Sequence, residues 1–267
     1  MSWVSHNAWA ERLLTVIRVS AMLLWTFGMV HAALLALRLH GAQDSQELRN
    51  RWVRQWANGL LRVFGVQPVW GSHAHAVSEA CVVVANHRSP LDILLLLGCF
   101  GGSVVARHDL ERWPILGWAA RSFDTIFVDR TDALSGGKAI REVRRRVAAC
   151  ETVILFPEGT THDGDKVRSF HGGAFVAVRG LQVRLVPVGI AYEPGCEFVG
   201  ETFTEHLMRV TKRRSTRVAV RVGPYTQASG DRRDMAAQMH SAVEALVREA
   251  RGLLTLSQAT ERAARLL

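Results

Sequence analysis

From about Gly65 onward the chain alternates short apolar runs with stretches of helical periodicity, the pattern of an α/β domain. Val82-Val83-Val84-Ala85 reads as a buried strand, and Asp92 to Cys99 begins a helix. Ile126-Phe127-Val128 is a second strand, followed by a polar turn over Asp129 to Gly137 and a helix over Lys138 to Cys150 whose arginines fill an exposed face. Thr152 to Phe156 and Leu185 to Ala191 read as further strands, the latter placed at an edge or bulge because Pro187 lacks an amide hydrogen. Arg217 to Val222 alternates in and out, and Asp231 to Leu254 forms a terminal helix. The expected fold is therefore α/β, with a mixed, largely parallel sheet flanked by helices. Neither an internal repeat nor a low-complexity linker interrupts it.

The pattern before Gly65 differs. Val19 to Leu37 carries no formal charge and lies between Arg18 and Arg38, nearly the ~20 residues a helix needs to cross hydrocarbon. A bilayer span or deep insertion is expected, with a buried or re-entrant helix as the alternative; a cleaved secretory signal fits less well. Leu48, Trp52, Trp56, Leu60 and Phe64 then recur every fourth residue with arginines between them. That stripe suits an interfacial amphipathic helix, and equally a helix packed on its own domain. The expected organisation is membrane-associated helices over 1–64 and an α/β domain over 65–267.

Composition sharpens this picture. Hydrophobic residues make up 48% and charged residues 21%, an apolar balance, while the formal charge is +9. Anionic lipid would explain both together. Nucleic acid is not expected as a partner, since no helix-turn-helix, RRM or zinc-finger signature accompanies the charge. An inner-membrane protein is expected, and arginines after the apolar segment predict that its C-terminal bulk lies on the cytoplasmic side. The four cysteines lack metal-ligand spacing and read as reduced thiols, and no metal or cofactor is expected.

Candidate chemistry lies in Asn86-His87-Arg88-Ser89-Pro90-Leu91-Asp92, at the mouth of the first apolar strand. His87 can take a proton near neutral pH, and Asp92 can fix its tautomer. The same residues read as a helix start, with Ser89 as cap, Pro90 first and Asp92 in the first turn; the two readings are compatible. Phe156-Pro157-Glu158-Gly159-Thr160 follows another strand. Open α/β sheets gather such strand-end loops at one site, so these runs can converge.

These motifs resemble, in order and over roughly residues 65 to 225, the glycerolipid acyltransferase family of the PlsC or LPLAT type. Asn86-His87 and Asp92 match its first motif, Ile126 to Arg130 its second, Phe156 to Thr160 its third and Val186-Pro187-Val188 its fourth. The resemblance implies transfer of a fatty acyl group from acyl-CoA or acyl carrier protein to a lysolipid hydroxyl. It implies His87 and Asp92 as the catalytic pair, and Arg130, Phe156, Pro157, Glu158, Gly159 and Thr160 as acceptor-binding residues. The expected acceptor is 1-acyl-sn-glycerol-3-phosphate.

The chain also departs from the family pattern. Asp124 stands where glycine is common, Thr161 follows the third motif where arginine is common, and His171 replaces a lysine. The run Phe-Pro-Glu-Gly-Thr-Thr-x-Asp-Gly resembles members acting on lyso-ornithine lipid, the alternative acceptor. A lipid hydrolase or an inactive membrane-binding homologue are the rival classes.

Overall fold

The computed structural model describes residues 2–40, 45–71, 80–113, 115–129 and 131–264. A sheet of eight strands runs through its centre: β1 (Val66–Trp70), β2 (Val82–Ala85), β3 (Ser103–Arg107), β4 (Ile126–Val128), β5 (Val153–Leu155), β6 (Arg184–Tyr192), β7 (Thr216–Val222) and β8 (Thr226–Gln227). Their order is β1-β7-β6-β2-β5-β3-β4, with β8 beside β6. Only the pairings of β6 with β7 and β8 are antiparallel. The mixed, largely parallel sheet expected from the sequence is the one observed.

Strand alternation builds two cores. Val83 and Ala85 point to the side covered by α1 (Ser2–His40), α2 (Ser45–Val63) and α3 (Leu91–Phe100). Val82 and Val84 point to the other side, against α5 (Ala133–Ala148) and α7 (Arg232–Ala264). A strand buried on both faces needs apolar residues at every position, which is why β2 reads as an unbroken run. The short α4 (Leu116–Ser122) and α6 (Phe203–Lys212) complete the fold. Gly189 in β6 has a packing reason: a Cβ there would stand 2.4 Å from the backbone of Leu246 and Val247 in α7.

The expected edge position of Pro187 is corrected. β6 is central, yet the proline falls where its neighbour on one side changes from β7 to β8. The Pro187 carbonyl accepts from Gly223 N–H at 2.9 Å, so the missing amide hydrogen coincides with that break in the ladder.

The interfacial reading of the α2 stripe is also corrected. Trp56, Leu60 and Phe64 are buried in the core that holds β2 and α3. Indole hydrogen bonds lock α2 to α1: Trp25 Nε1 donates to the Trp56 carbonyl and Trp56 Nε1 to Thr26 Oγ1, each at 3.1 Å. One face of α1 (Met22, Thr26, Met29, Val30, Ala33) is buried, whereas Leu13, Val16, Ile17, Leu24, Phe27 and Leu35 are exposed on the other. Among the described residues Trp9–Leu39 is the one segment long and apolar enough to cross a membrane.

Candidate active site

His87 leaves the carboxyl end of β2 and Phe156 the carboxyl end of β5; these strands are parallel neighbours. Their loops therefore emerge on the same side, and the two rings stack with centroids 4.1 Å apart. The backbone between them is fixed from below. Asn86 bridges to β6 by donating to the Ile190 carbonyl at 2.9 Å and accepting from Ile190 N–H at 2.8 Å.

Asp92, at the start of α3, is fully buried. Its Oδ2 lies 2.9 Å from His87 Nδ1 and accepts the N–H groups of Arg88 (2.6 Å) and Ser89 (2.9 Å). Its Oδ1 accepts from the Tyr192 hydroxyl at 2.7 Å. Burial, and secondarily the Asp92 charge, push the Tyr192 phenol well above its ordinary pKa, so it remains a donor. With its other contacts all donors, Asp92 is placed to accept Nδ1–H of His87, which leaves Nε2 with the lone pair.

Glu158 occupies a different place from the one its motif suggests. It is 4% exposed and does not border the cleft. Its Oε2 accepts His87 N–H at 2.6 Å and Arg88 Nη1 at 2.9 Å, and its Oε1 accepts Arg168 N–H at 2.8 Å. Arg88, 2% exposed, also donates to the carbonyls of His87 (2.8 Å), Gly164 (2.7 Å) and Lys166 (2.9 Å). This buried pair knits the two motif loops together. A buried ion pair is tolerable only when its remaining hydrogen-bonding capacity is filled, as here.

The resulting cleft, about 360 Å³, is bordered by His87, Phe156, Gly159, Thr160, Thr161 and the apolar Phe203, among others. Gly159 closes the turn with φ +80°, a conformation costly for other residues, while its N–H donates to the Phe156 carbonyl at 3.0 Å. Of the anticipated acceptor residues, Phe156, Gly159 and Thr160 reach the cleft, and Pro157 is buried behind it with Glu158. Arg130 lies outside the described residues. An apolar cavity of about 120 Å³ adjoins the cleft, sharing Pro90, Ile93, Leu110 and Phe203, and continues toward Trp56, Leu60 and Phe123.

The Acyltransferase family model matches residues 67–191, the stretch that builds these loops. Over that stretch the chain is similar to the acyltransferase family. Lyso-ornithine lipid O-acyltransferase of Pseudomonas aeruginosa is 29% identical over 254 residues, 87% of this chain and 93% of that protein. The Brucella abortus protein of the same name is 29% identical over 76% of this chain and 86% of its own length. The 1-acyl-sn-glycerol-3-phosphate acyltransferase of Neisseria meningitidis is 28% identical over 55% of this chain and 57% of its own. The crystal structure of PlsC, the 1-acyl-sn-glycerophosphate acyltransferase from Thermotoga maritima, shares the fold at TM-score 0.71 and 20% identity, covering 92% of this chain and 98% of that one.

Of the residues that build this site, the sequence points to His87 and Asp92, which the structure brings together, but not to Arg88, Tyr192 or the Asn86 bridge. Arg88 stands inside the first motif, where its charge beside an apolar strand was a usable signal. Tyr192 is 100 positions from Asp92 and has no local signature.

Proposed function

We propose that the protein moves a fatty acyl group from an acyl-CoA or acyl-carrier-protein thioester to the free hydroxyl of a membrane lysolipid, with His87 as general base. The observation that carries this reading is the His87–Asp92 pair opening on a cleft that adjoins an apolar cavity. Nε2 of His87 takes the acceptor hydroxyl proton as its oxygen attacks the thioester carbonyl. The tetrahedral intermediate collapses, the C–S bond breaks, and the thiolate leaves with the proton returned from the imidazolium. Asp92 stabilises that imidazolium, and thiolate is a good leaving group, so positioning and base catalysis are the main demands. The apolar cavity suits the start of an acyl chain, each buried methylene contributing about 0.8 kcal/mol.

The exposed apolar face of α1 and the family's lipid chemistry support membrane association. Arginines after the apolar segment support the cytoplasmic face of the inner membrane, with anionic lipid headgroups as further partners. Helix α1, within residues 1–64, would then anchor the protein, and 65–267 would carry the catalytic machinery.

Two acceptors fit. 1-Acyl-sn-glycerol-3-phosphate is the reading of the ordered motifs, with Arg130 as its phosphate contact. Lyso-ornithine lipid is favoured by the length over which the Pseudomonas aeruginosa and Brucella abortus relatives match, and by the charges bordering the cleft. Arg107, Asp109 and Glu201 are of both signs, as a zwitterionic headgroup would need. Offering both acceptors and both thioester donors to detergent-purified protein decides between them. Product formed only from lysophosphatidic acid selects the first, product only from lyso-ornithine lipid the second, and free fatty acid without acylated lipid would replace transfer by hydrolysis.

A further inference from the structure

Beside the His87–Asp92 pair lies a second histidine, this one buried, that the proposed mechanism does not use. His206, on the first turns of α6, places Nδ1 2.8 Å from Glu201 Oε1 and Nε2 3.0 Å from Ser89 Oγ. Arg209 Nε holds the other Glu201 oxygen at 3.1 Å. Serine, histidine and glutamate thus stand in the order of a nucleophilic triad. The serine is not placed to act as one: Ser89 has no exposure and borders neither the cleft nor the apolar cavity. Its Oγ already accepts from Leu91 N–H at 3.3 Å, on the first turn of α3.

What the constellation does is fix a backbone. Ser89 N–H donates to Asp92 Oδ2 at 2.9 Å, the same oxygen that lies 2.9 Å from His87 Nδ1. A continuous line of contacts therefore runs from Glu201 through His206 and Ser89 to Asp92 and His87. The segment that carries Glu201 is also tied once to each of the two motif loops. Phe198 N–H donates to the Arg88 carbonyl at 2.7 Å, and Thr161 Oγ1 donates to the Phe198 carbonyl at 2.6 Å. At its far end α6 is anchored to the apolar helix α1. Arg18, buried there, donates to the carbonyls of Thr211 (3.1 Å), Arg213 and Arg214 (3.0 Å).

We propose that His206 is a positioning residue for acyl transfer, holding Ser89 so that Asp92 presents the correct oxygen to His87. Nδ1 faces Glu201 Oε1 and, at 3.0 Å, Arg209 Nη2, while Nε2 faces the Ser89 hydroxyl. Burial holds the His206 pKa below its ordinary value, against the opposing pull of Glu201. The inference rests on His87 acting as base, and the experiment separates the two.

Full-length protein in detergent is assayed with whichever of the two lysolipids it accepts, comparing native protein, His206→Leu, His206→Gln and His87→Ala. His206→Leu should lower kcat about tenfold or more while the acceptor KM stays within about twofold, since small misplacements of a base are costly. His206→Gln, able to accept from Ser89 and donate to Glu201, should recover kcat to within about threefold of native. Should His206→Leu fail to fold, Ser89→Ala must show the same loss confined to kcat. Native kcat in His206→Leu or Ser89→Ala, no recovery in His206→Gln, or an acyl adduct on Ser89 by intact mass would overturn the proposal. Loss of activity in His87→Ala beside native kcat in His206→Leu removes this inference alone, whereas an active His87→Ala protein removes the base assignment on which it rests.

Discussion

Replacing Glu158 with glutamine should damage folding and turnover while leaving acceptor affinity nearly unchanged. Every hydrogen-bond partner of its carboxylate is a donor: His87 N–H and Arg88 Nη1 at Oε2, Arg168 N–H and again Arg88 Nη1, at 3.2 Å, at Oε1. A glutamine amide must set its NH2 against one of these pairs, so two contacts are lost whichever way it turns. Hydrogen bonds to charged groups contribute about 1.5–3 kcal/mol each, and breaking a buried ion pair from one side costs about 3–5 kcal/mol, so about 4 kcal/mol is expected. For a domain of this size that lowers Tm by roughly 10 °C. The loop holding His87 N–H is the one released, so kcat should fall with it. Thermal unfolding in detergent, read beside kcat and acceptor KM, checks all three. An unchanged Tm with an acceptor KM raised about tenfold would show that Glu158 grips the headgroup, and the loop-fixing role would be refuted.

Asp92→Asn should reduce kcat by about 10²–10⁴ with the fold retained, because the amide no longer enforces Nδ1–H on His87; steady-state kinetics and circular dichroism check this. Tyr192→Phe leaves Asp92 Oδ1 without its hydroxyl donor and should cost about 1–3 kcal/mol of stability, measured by the shift in Tm. Glu142, held down to about 2 by hydrogen bonds from Arg145 and Arg146, stabilises the fold above its ordinary value of 4.5 and loses that contribution as pH falls from there toward 2. Glu142→Gln should therefore be less stable than native protein at pH 6 and converge with it near pH 2, read from thermal unfolding across that range. Changing Leu13, Ile17 and Leu24 together to serine should lower binding to lipid vesicles in a flotation assay without lowering Tm, since all three are exposed.

The fold was legible where burial dictates composition. β2 and β5 are covered on both faces, so their apolar runs stand out, and the motif loops follow them directly. β3, opening with a serine and closing with an arginine beside a Gly-Gly pair, carries a weaker pattern and was overlooked. α6 had a readable start: Thr202 and Glu205 form a capping box, with Thr202 Oγ1 accepting Glu205 N–H at 3.3 Å. Pro187 was misplaced because local chemistry says only that an amide is missing, not that a neighbouring strand ends opposite it. The α2 stripe was ambiguous for a similar reason. Spacing defines a face, and only the packing of α1 and α3 shows what covers it.

The candidate site divides along the same line. His87 and Asp92 are five positions apart and were visible together. The contacts that give the pair its geometry come from Tyr192, Glu158 and, through Ser89, His206. Strand order and loop packing bring these together, and no periodicity records them. Glu158 shows the converse: a residue inside a recognisable motif can turn its side chain into the protein rather than toward the cleft.

The most direct measurement is acyl transfer by His87→Ala beside native protein, with both thioester donors, both lysolipid acceptors, and product lipid and free fatty acid counted in the same reaction. A loss of transfer by at least about 100-fold, with the native Tm retained, is expected if His87 is the base. Transfer at the native rate from a correctly folded His87→Ala protein would contradict the mechanism at its centre.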